Sequence, residues 1–189
     1  SADRTRRGAY PRRMDPKTDP REAALAALDR RALTRRELAG KLRLKGFEPD
    51  AVAATLDRLE AVGLVDDRAL AYNLARRFAE DGRRGAARVS ADLARRGVPR
   101  ELAAEAVAAA FTPEASRDAV DRATARLVRG GAPQDRRERE KLYRRLRRAG
   151  FSSAEALAAL ERAGAPADEL PPPGEDEDDA FERRETDLP

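Results

Sequence analysis

The chain of 189 residues is 39% charged and 4% aromatic, and it contains no cysteine and no histidine. This composition excludes disulfides, thiol chemistry, imidazole bases and the usual zinc and haem ligands, and no apolar run approaches the roughly 18 residues of a membrane span. The formal net charge of +4 is unevenly distributed, because residues 168–189 carry −8 and residues 1–167 carry +12. A basic body of this kind indicates a polyanionic or acidic partner.

The predicted elements begin with a basic segment over residues 1–20. It has three prolines, six basic residues and no apolar periodicity, and we expect a flexible arm. Residues 21–63 then show the apolar spacing of three short helices. Within them Thr34 and Glu37 predict a capping box, and Gly46 is expected in the left-handed conformation past a helix end. The sequence therefore predicts a first helical repeat over residues 21–63.

Residues 64–111 and 112–164 repeat this pattern. The recurring positions are Leu38, Leu42, Gly46, Phe47 and Leu56, then Val89, Leu93, Gly97, Val98 and Val107, then Leu142, Leu146, Gly150, Phe151 and Leu160. A fixed period is the signature of tandem repeats. We therefore predict an all-α fold of three tandem three-helix repeats in an elongated, curved body, followed by a disordered acidic tail over residues 165–189. No catalytic constellation accompanies the period, so no enzyme is expected.

Several local features refine this prediction. Leu70, Leu74 and Phe78 stand at i, i+4 and i+8 and predict the buried face of the first helix in the second repeat. Asp66 and Asp67 are expected to cap that helix and to interact with its dipole, the alternative being Mg²⁺ ligation.

Loop residues give two further predictions. Glycines between predicted helices, at Gly63, Gly82–Gly85 and Gly130–Gly131, are expected to let the repeats rotate. Ser153 is expected to cap the last helix.

Basic residues concentrate in three clusters. The C-terminal basic cluster has Arg137, Lys141, Arg144 and Arg148 on one helix face, with Arg145 beside them, in a predicted helix that also holds Arg136, Arg139 and Arg147. The middle basic cluster consists of Arg76, Arg77, Arg83, Arg84 and Arg88. The first basic cluster consists of Lys41 and Lys45 with Arg35, Arg36 and Arg43. Like charges at helical spacing repel each other, and a bound polyanion would relieve that cost.

Three interpretations of these clusters stay open. They bind phosphates through counterion release, they bind acidic patches on a protein filament, or they are solvated faces balanced by neighbours such as Glu138 and Glu140. Few tyrosines are available for base stacking, so sequence-specific readout is not expected. The acidic tail is a candidate competitor for the same clusters, and the alternative is a solubilising tail.

Three stretches of the sequence carry a family resemblance. They are ELAGKLRLKGF at residues 37–47, LEAVGLVDD at residues 59–67, and the segment from AARV at residues 86–89 to RGV at residues 96–98. Together they resemble the bacterial RecX regulatory proteins over residues 22–164.

The resemblance implies a function as well as a fold. RecX-like proteins consist of three tandem three-helix repeats, and they bind the RecA recombinase filament on DNA, inhibit its ATP hydrolysis and strand exchange, and favour its disassembly. It therefore implies a regulator of homologous recombination, DNA repair and the SOS response. The sequence itself, without a membrane span or a secretory signal, predicts a cytoplasmic protein without catalytic residues or cofactors, and we expect a monomer. Its expected partners are the RecA filament and single-stranded DNA, with double-stranded DNA as a further candidate, bound without sequence specificity.

A second function competes with this one. A basic helical repeat protein that binds DNA without sequence preference, and without a recombinase partner, would have the same composition and charge. A Mg²⁺-dependent hydrolase or nuclease is disfavoured, because the acidic residues outside the tail lie on helix faces in charge pairs.

Overall fold

The structure is a computed structural model that describes residues 19–129 and 131–164. The acidic tail predicted over residues 165–189 lies outside the described residues, and so does the predicted basic arm up to residue 18. At its end the arm prediction is wrong, because Pro20 is already the first residue of a helix that Asp19 caps. Proline suits this first position because its missing N–H would have no helical partner there.

The described residues form nine α-helices and no strand, which confirms the all-α prediction. The helices are α1 (Pro20–Leu28), α2 (Arg35–Leu44), α3 (Pro49–Ala61), α4 (Asp67–Asp81), α5 (Ala86–Arg96), α6 (Arg100–Ala110), α7 (Pro113–Leu127), α8 (Arg136–Arg148) and α9 (Ser153–Arg162). They enclose three hydrophobic cores, each formed by three consecutive helices. The chain divides into two compact units at Leu70, and the exact boundaries of the three repeats stay a prediction.

The first unit shows why the recurring positions recur. The hydroxyl of Thr34 accepts the N–H of Glu37 at 3.1 Å, and the Glu37 carboxylate accepts the N–H of Thr34 at 2.9 Å, so the predicted capping box is confirmed. Gly46 has a φ of 86° and ends the helix as expected. Phe47 then packs into the core with Leu38 and Leu42.

In the second unit the apolar face of α4 differs from the prediction. Ala71 and Ala75 are fully buried and Ala79 nearly so, whereas Leu74 and Phe78 are only partly buried at the edge of the core. The alanines face the neighbouring helices because their small side chains allow closer helix packing than leucine does. The prediction from periodicity is confirmed for Leu70, which is 7% exposed, and is wrong for Leu74 and Phe78.

Gly85 and Gly150 lie where two backbone segments of the second unit are in close contact. The N–H of Gly85 donates to the carbonyl of Ala149 at 2.8 Å. A Cβ on Gly85 would lie 2.2 Å from the carbonyl oxygen of Gly150, and a Cβ on Gly150 would lie 2.4 Å from the Cβ of Arg88 and 2.5 Å from its backbone nitrogen. The prediction that Gly82–Gly85 permits rotation is therefore wrong for Gly85, because backbone on both sides fills the space.

Two arginines of α7 donate hydrogen bonds to the end of α4 in the second unit. Arg122 donates to the carbonyl of Ala79 at 2.9 Å, and Arg126 donates to the carbonyls of Asp81 and Gly82 at 2.6 and 3.1 Å. The carbonyls of Ala79 and Asp81 belong to the last turn of α4 and that of Gly82 follows directly, where no helical N–H is available to them. The end of α4 is thus held by α7 through charge-assisted hydrogen bonds.

Two other local predictions have a definite outcome. The last helix is capped by Ser152, whose hydroxyl accepts the N–H of Glu155 at 3.2 Å, so the prediction of Ser153 was wrong by one residue. Across residues 19–129 and 131–164 no helix is long and apolar enough to cross a membrane.

Candidate polyanion-binding surface

The C-terminal basic cluster lies on the exposed side of α8. Asp135 caps this helix by accepting the N–H of Glu138 at 2.7 Å, and Leu146 on the opposite side is fully buried. The five residues of the cluster are all exposed, namely Arg137, Lys141, Arg144, Arg145 and Arg148. Arg144 forms an ion pair with Glu140 at 3.2 Å. The outer face of α8 therefore has a clear excess of positive charge.

Two basic residues of α8 do not belong to that outer face. Arg139 is only 6% exposed and lies on the buried side of the helix. Arg147 is half-buried and donates to the carbonyl of Phe151 at 2.9 Å. Helical spacing had already left both residues off the predicted outer face, and the structure adds that Arg139 is buried and that Arg147 is half-buried.

The middle basic cluster is organised around a carboxylate that the sequence did not reveal. Asp92 on α5 is 8% exposed. Arg84 pairs with it at 2.5 Å and Arg88 at 3.5 Å, and Arg95 also donates to it. The guanidinium of Arg84 also lies over the ring of Phe78, 4.4 Å from its centroid. Three arginines and one carboxylate leave a net charge of about +2 at this point. We call these four residues the Asp92 group.

The remaining residues of the middle cluster have other neighbours. Arg83 pairs with Asp81 at 3.4 Å, and Arg76 donates to Asn73 at 3.4 Å. Arg77 is exposed on α4. The signal that sequence reasoning missed was the spacing of Asp92 from Arg88 (i+4) and from Arg95 (i−3), because one carboxylate at both spacings can hold two arginines.

The middle and C-terminal clusters come close together at the glycine contact. Arg84 and Arg88 lie one residue before and three residues after Gly85, whose N–H donates to the carbonyl of Ala149. Arg148 is the residue before Ala149. Since consecutive Cα atoms are about 3.8 Å apart, the end of the α8 surface and the start of α5 lie next to each other in the second unit.

The first basic cluster belongs to the first unit and has two parts. Lys41 and Lys45 are exposed near the end of α2, on either side of Leu44, which is 90% exposed. Arg35 instead pairs with Asp57 at 2.7 Å and with Glu60. The hydrogen bond with Asp57 raises the pKa of Arg35 above its usual range.

The acidic pair Asp66 and Asp67, at the start of α4, was predicted correctly for one of its two residues. Asp66 accepts the N–H of Ala69 at 2.8 Å and caps α4 as expected. Asp67 instead accepts the N–H of Arg35 at 2.8 Å, at the start of α2, and burial raises its pKa. Within the described ranges no group of three or more Asp and Glu residues is placed to hold a metal ion.

The three cores and the basic surface define an all-helical protein of three-helix repeats. The family described as "RecX, first three-helix domain" matches residues 21–59. The regulatory protein RecX of Halorhodospira halophila is 38% identical over 144 residues, which cover 74% of this chain and 84% of that protein. The regulatory protein RecX of Deinococcus radiodurans is 34% identical over 178 residues, 90% of this chain and 81% of that protein. The chain belongs to the RecX family of regulatory proteins.

A solved structure supports the fold independently. The crystal structure of RecX from Lactobacillus salivarius matches with a TM-score of 0.66 at 20% identity, over 77% of this chain and 94% of that chain. At this identity the likeness concerns the fold alone.

Proposed function

We propose that this protein binds RecA recombinase filaments on DNA, inhibits their ATP hydrolysis and strand exchange, and favours their disassembly. The observation that carries this proposal is the 38% identity to a regulatory protein RecX over 84% of that protein's length. The proposed action is exerted by binding, and it assigns no catalytic group and no cofactor to the chain.

The exposed basic residues support a partner of this kind. A recombinase filament on DNA offers both phosphates and protein carboxylates, and arginine binds either group with paired, charge-assisted hydrogen bonds. The basic clusters belong to both units, so one molecule has several points of attachment. Contacts that are weak one by one reinforce each other when they belong to one chain, since each raises the effective concentration of the next.

A second candidate function is sequence-nonspecific DNA binding without a recombinase. The exposed cationic face of α8 favours it, because a row of arginines suffices to bind a phosphate backbone. The two candidates differ in the amount of protein that they require. A filament regulator acts at few positions on a polymer, whereas a DNA coat acts only when it covers the strand.

The deciding experiment measures ATP hydrolysis by a recombinase on single-stranded DNA while this protein is added in increasing amounts. We expect inhibition far below the amount that saturates the DNA. Inhibition that appears only when the DNA is coated would support the second candidate instead.

Charge reversal on α8 sharpens the same experiment. The double variant Arg137→Glu with Lys141→Glu should shift inhibition to higher protein concentrations, because it replaces two attractive charges by two repulsive ones. Arg58→Glu with Arg117→Glu is the matched control, since both are exposed arginines outside the three clusters and the change in net charge is the same. Equal loss of inhibition in both variants would mean that net charge, and not this surface, is responsible.

A further inference from the structure

We propose that the Asp92 group and the outer face of α8 form one continuous binding surface for the phosphate backbone of nucleic acid. This inference deepens the proposed function. It rests on that function in one respect, which is that the natural ligand is the DNA inside a recombinase filament. It assigns the DNA contact to the second unit, a division that neither the family relationship nor the sequence provides.

The first support is the contact that joins the two parts. The hydrogen bond from Gly85 to the carbonyl of Ala149 and the absence of side chains at Gly85 and Gly150 bring the start of α5 directly against the end of α8. Arg88 contacts the same point through its own backbone, because a Cβ on Gly150 would lie 2.5 Å from its nitrogen. The arginines at the end of α8 therefore continue into those of the Asp92 group.

The second support is how Asp92 arranges its arginines. Each guanidinium has five N–H donors, whereas one carboxylate has about four acceptor positions. Asp92 thus orients Arg84, Arg88 and Arg95 but cannot satisfy all their donors. Their side chains are still between 42% and 68% exposed, so donors remain within reach of a ligand. Side chains that folding has already ordered lose less entropy on binding, which favours affinity.

The third support concerns the class of ligand. Protein interfaces usually have an apolar or aromatic core, whereas nucleic-acid interfaces are more polar and more positively charged. Among the described residues the large exposed hydrophobic side chains are Leu44, Val62 and Leu64, all of which belong to the first unit. The described surface of the second unit has the charge for a phosphate backbone without an apolar centre for a protein partner.

The mode of binding follows from the same surface. Tyr72 and Tyr143 pack partly buried against the cores, so they are poorly placed to stack on bases. Without stacking or base-edge contacts, affinity depends on phosphates alone. Binding should therefore be insensitive to sequence and should weaken steeply with salt.

The test is a fluorescence-anisotropy titration of the full chain against a labelled single-stranded oligonucleotide of about 10–15 nucleotides, without recombinase. Arg88→Ala and Arg148→Ala remove one cation from each side of the glycine contact. Each should weaken binding by about 2- to 5-fold, the effect of one exposed ionic contact, and should lower the salt slope by about 0.7. Arg117→Ala is the matched control and should leave the affinity unchanged.

The double variant separates one surface from two. On a single surface both substitutions act on the same 1:1 complex, so the two fold-changes should multiply. Two separate sites would give two bound oligonucleotides, and Arg88→Ala would abolish only one of them, which would overturn the proposal. The same titration with a duplex of equal length shows whether the surface prefers the phosphate backbone of single-stranded or of double-stranded DNA.

The outcome is independent of the proposed function. If Arg88→Ala and Arg148→Ala retain full DNA affinity but lose inhibition of a recombinase, the surface binds protein, and the inference fails while the proposed function stands. If DNA binding weakens as expected but the wild-type chain does not inhibit a recombinase, the proposed function fails and the surface stands. Thermal unfolding followed by circular dichroism verifies that both variants are folded.

Discussion

The carboxylate of Asp67 accepts a hydrogen bond of 2.8 Å from the main-chain N–H of Arg35, which lies 32 residues earlier in the chain. The first N–H groups of a helix have no partner within the helix, so Asp67 satisfies a donor of α2 from the start of α4. The side chain of Arg35 at the same time pairs with Asp57 and Glu60 of α3. One residue thus connects three segments of the first unit.

Substitution of Asp67 tests this connection. Asp67→Ala should destabilise the protein by about 1 kcal/mol, because it removes an acceptor for the start of a helix. Asp67→Asn keeps an acceptor oxygen and should be close to the wild type at neutral pH. Urea unfolding followed by circular dichroism measures both. Equal stability of the alanine and wild-type proteins would show that the hydrogen bond contributes nothing.

The contribution of Asp67 to stability should fall as the pH rises, which is the opposite of the usual behaviour of a carboxylate. Burial raises its pKa in the folded protein above the ordinary value of 3.8, so between the two values the folded state holds the proton more tightly than the unfolded state. The stability from this group is present below pH 3.8 and is lost as the pH rises through the folded pKa.

Comparison with Asp67→Asn isolates that effect, since asparagine does not titrate. The wild type should lose stability relative to this variant as the pH rises from 3 to 7. A constant difference in unfolding free energy between the wild type and this variant across this range would contradict the raised pKa. A trend of the opposite sign would mean that the hydrogen bond from Arg35 outweighs burial.

The glycine contact in the second unit gives a prediction with a built-in control. Gly85→Ala should cost about 3 kcal/mol, because its Cβ would collide with backbone and the hydrogen bond to Ala149 would lengthen. Gly40→Ala should instead stabilise by about 0.5–1 kcal/mol, since Gly40 is inside α2 with no neighbour within 4 Å of the new methyl group. Thermal unfolding compares the two, and a small cost at Gly85 would indicate that the contact yields easily.

These residues show what could be predicted from the sequence. Local rules found the capping box at Thr34 and the left-handed Gly46, because both depend on residues close in the chain. The periodic leucines and valines identified the cores, because helical periodicity also depends on residues close in the chain. The stripe of small residues on α4 was missed, since alanine gives a weak apolar signal and only the neighbouring helices reveal why it is buried.

The surface was less predictable, because its organisation depends on long-range contacts. Helical spacing located the outer face of α8, but nothing in the sequence indicated that Arg139 on the same helix is buried. The sequence also separates Arg88 from Arg148, which the contact between Gly85 and Gly150 brings near each other. Nothing local in the sequence indicates that two glycines 65 positions apart lie against each other.

The first unit offers a complementary prediction for protein contacts. Leu44, the last residue of α2, is exposed between Lys41 and Lys45, an apolar residue between two cations. If this patch binds protein, Leu44→Ala should weaken recombinase inhibition several-fold without a change in stability, because an exposed leucine contributes little to folding. DNA affinity should stay unchanged, and its loss would mean that the patch binds nucleic acid instead. Arg58→Ala on α3 is an exposed control.

The charge division between the body and the C-terminal region leads to the last prediction. Residues 168–189 carry −8 in covalent attachment to a body of +12, and we predict that they compete with DNA phosphates for the basic clusters at high effective concentration. Deletion of residues 168–189 should therefore tighten oligonucleotide binding several-fold at low salt. The gain should vanish as salt rises, because the Debye length falls from about 30 Å at 0.01 M to about 8 Å at 0.15 M.

A charge-neutralised variant is the control for that deletion. Replacing the ten acidic residues of positions 168–189 by Asn and Gln keeps the length of the chain and removes only the charge. If competition is electrostatic, this variant and the deletion should bind DNA equally tightly, and both more tightly than the wild type. Unchanged affinity in both would assign the acidic residues a role in solubility, whereas tighter binding by the deletion alone would point to steric obstruction by the chain itself.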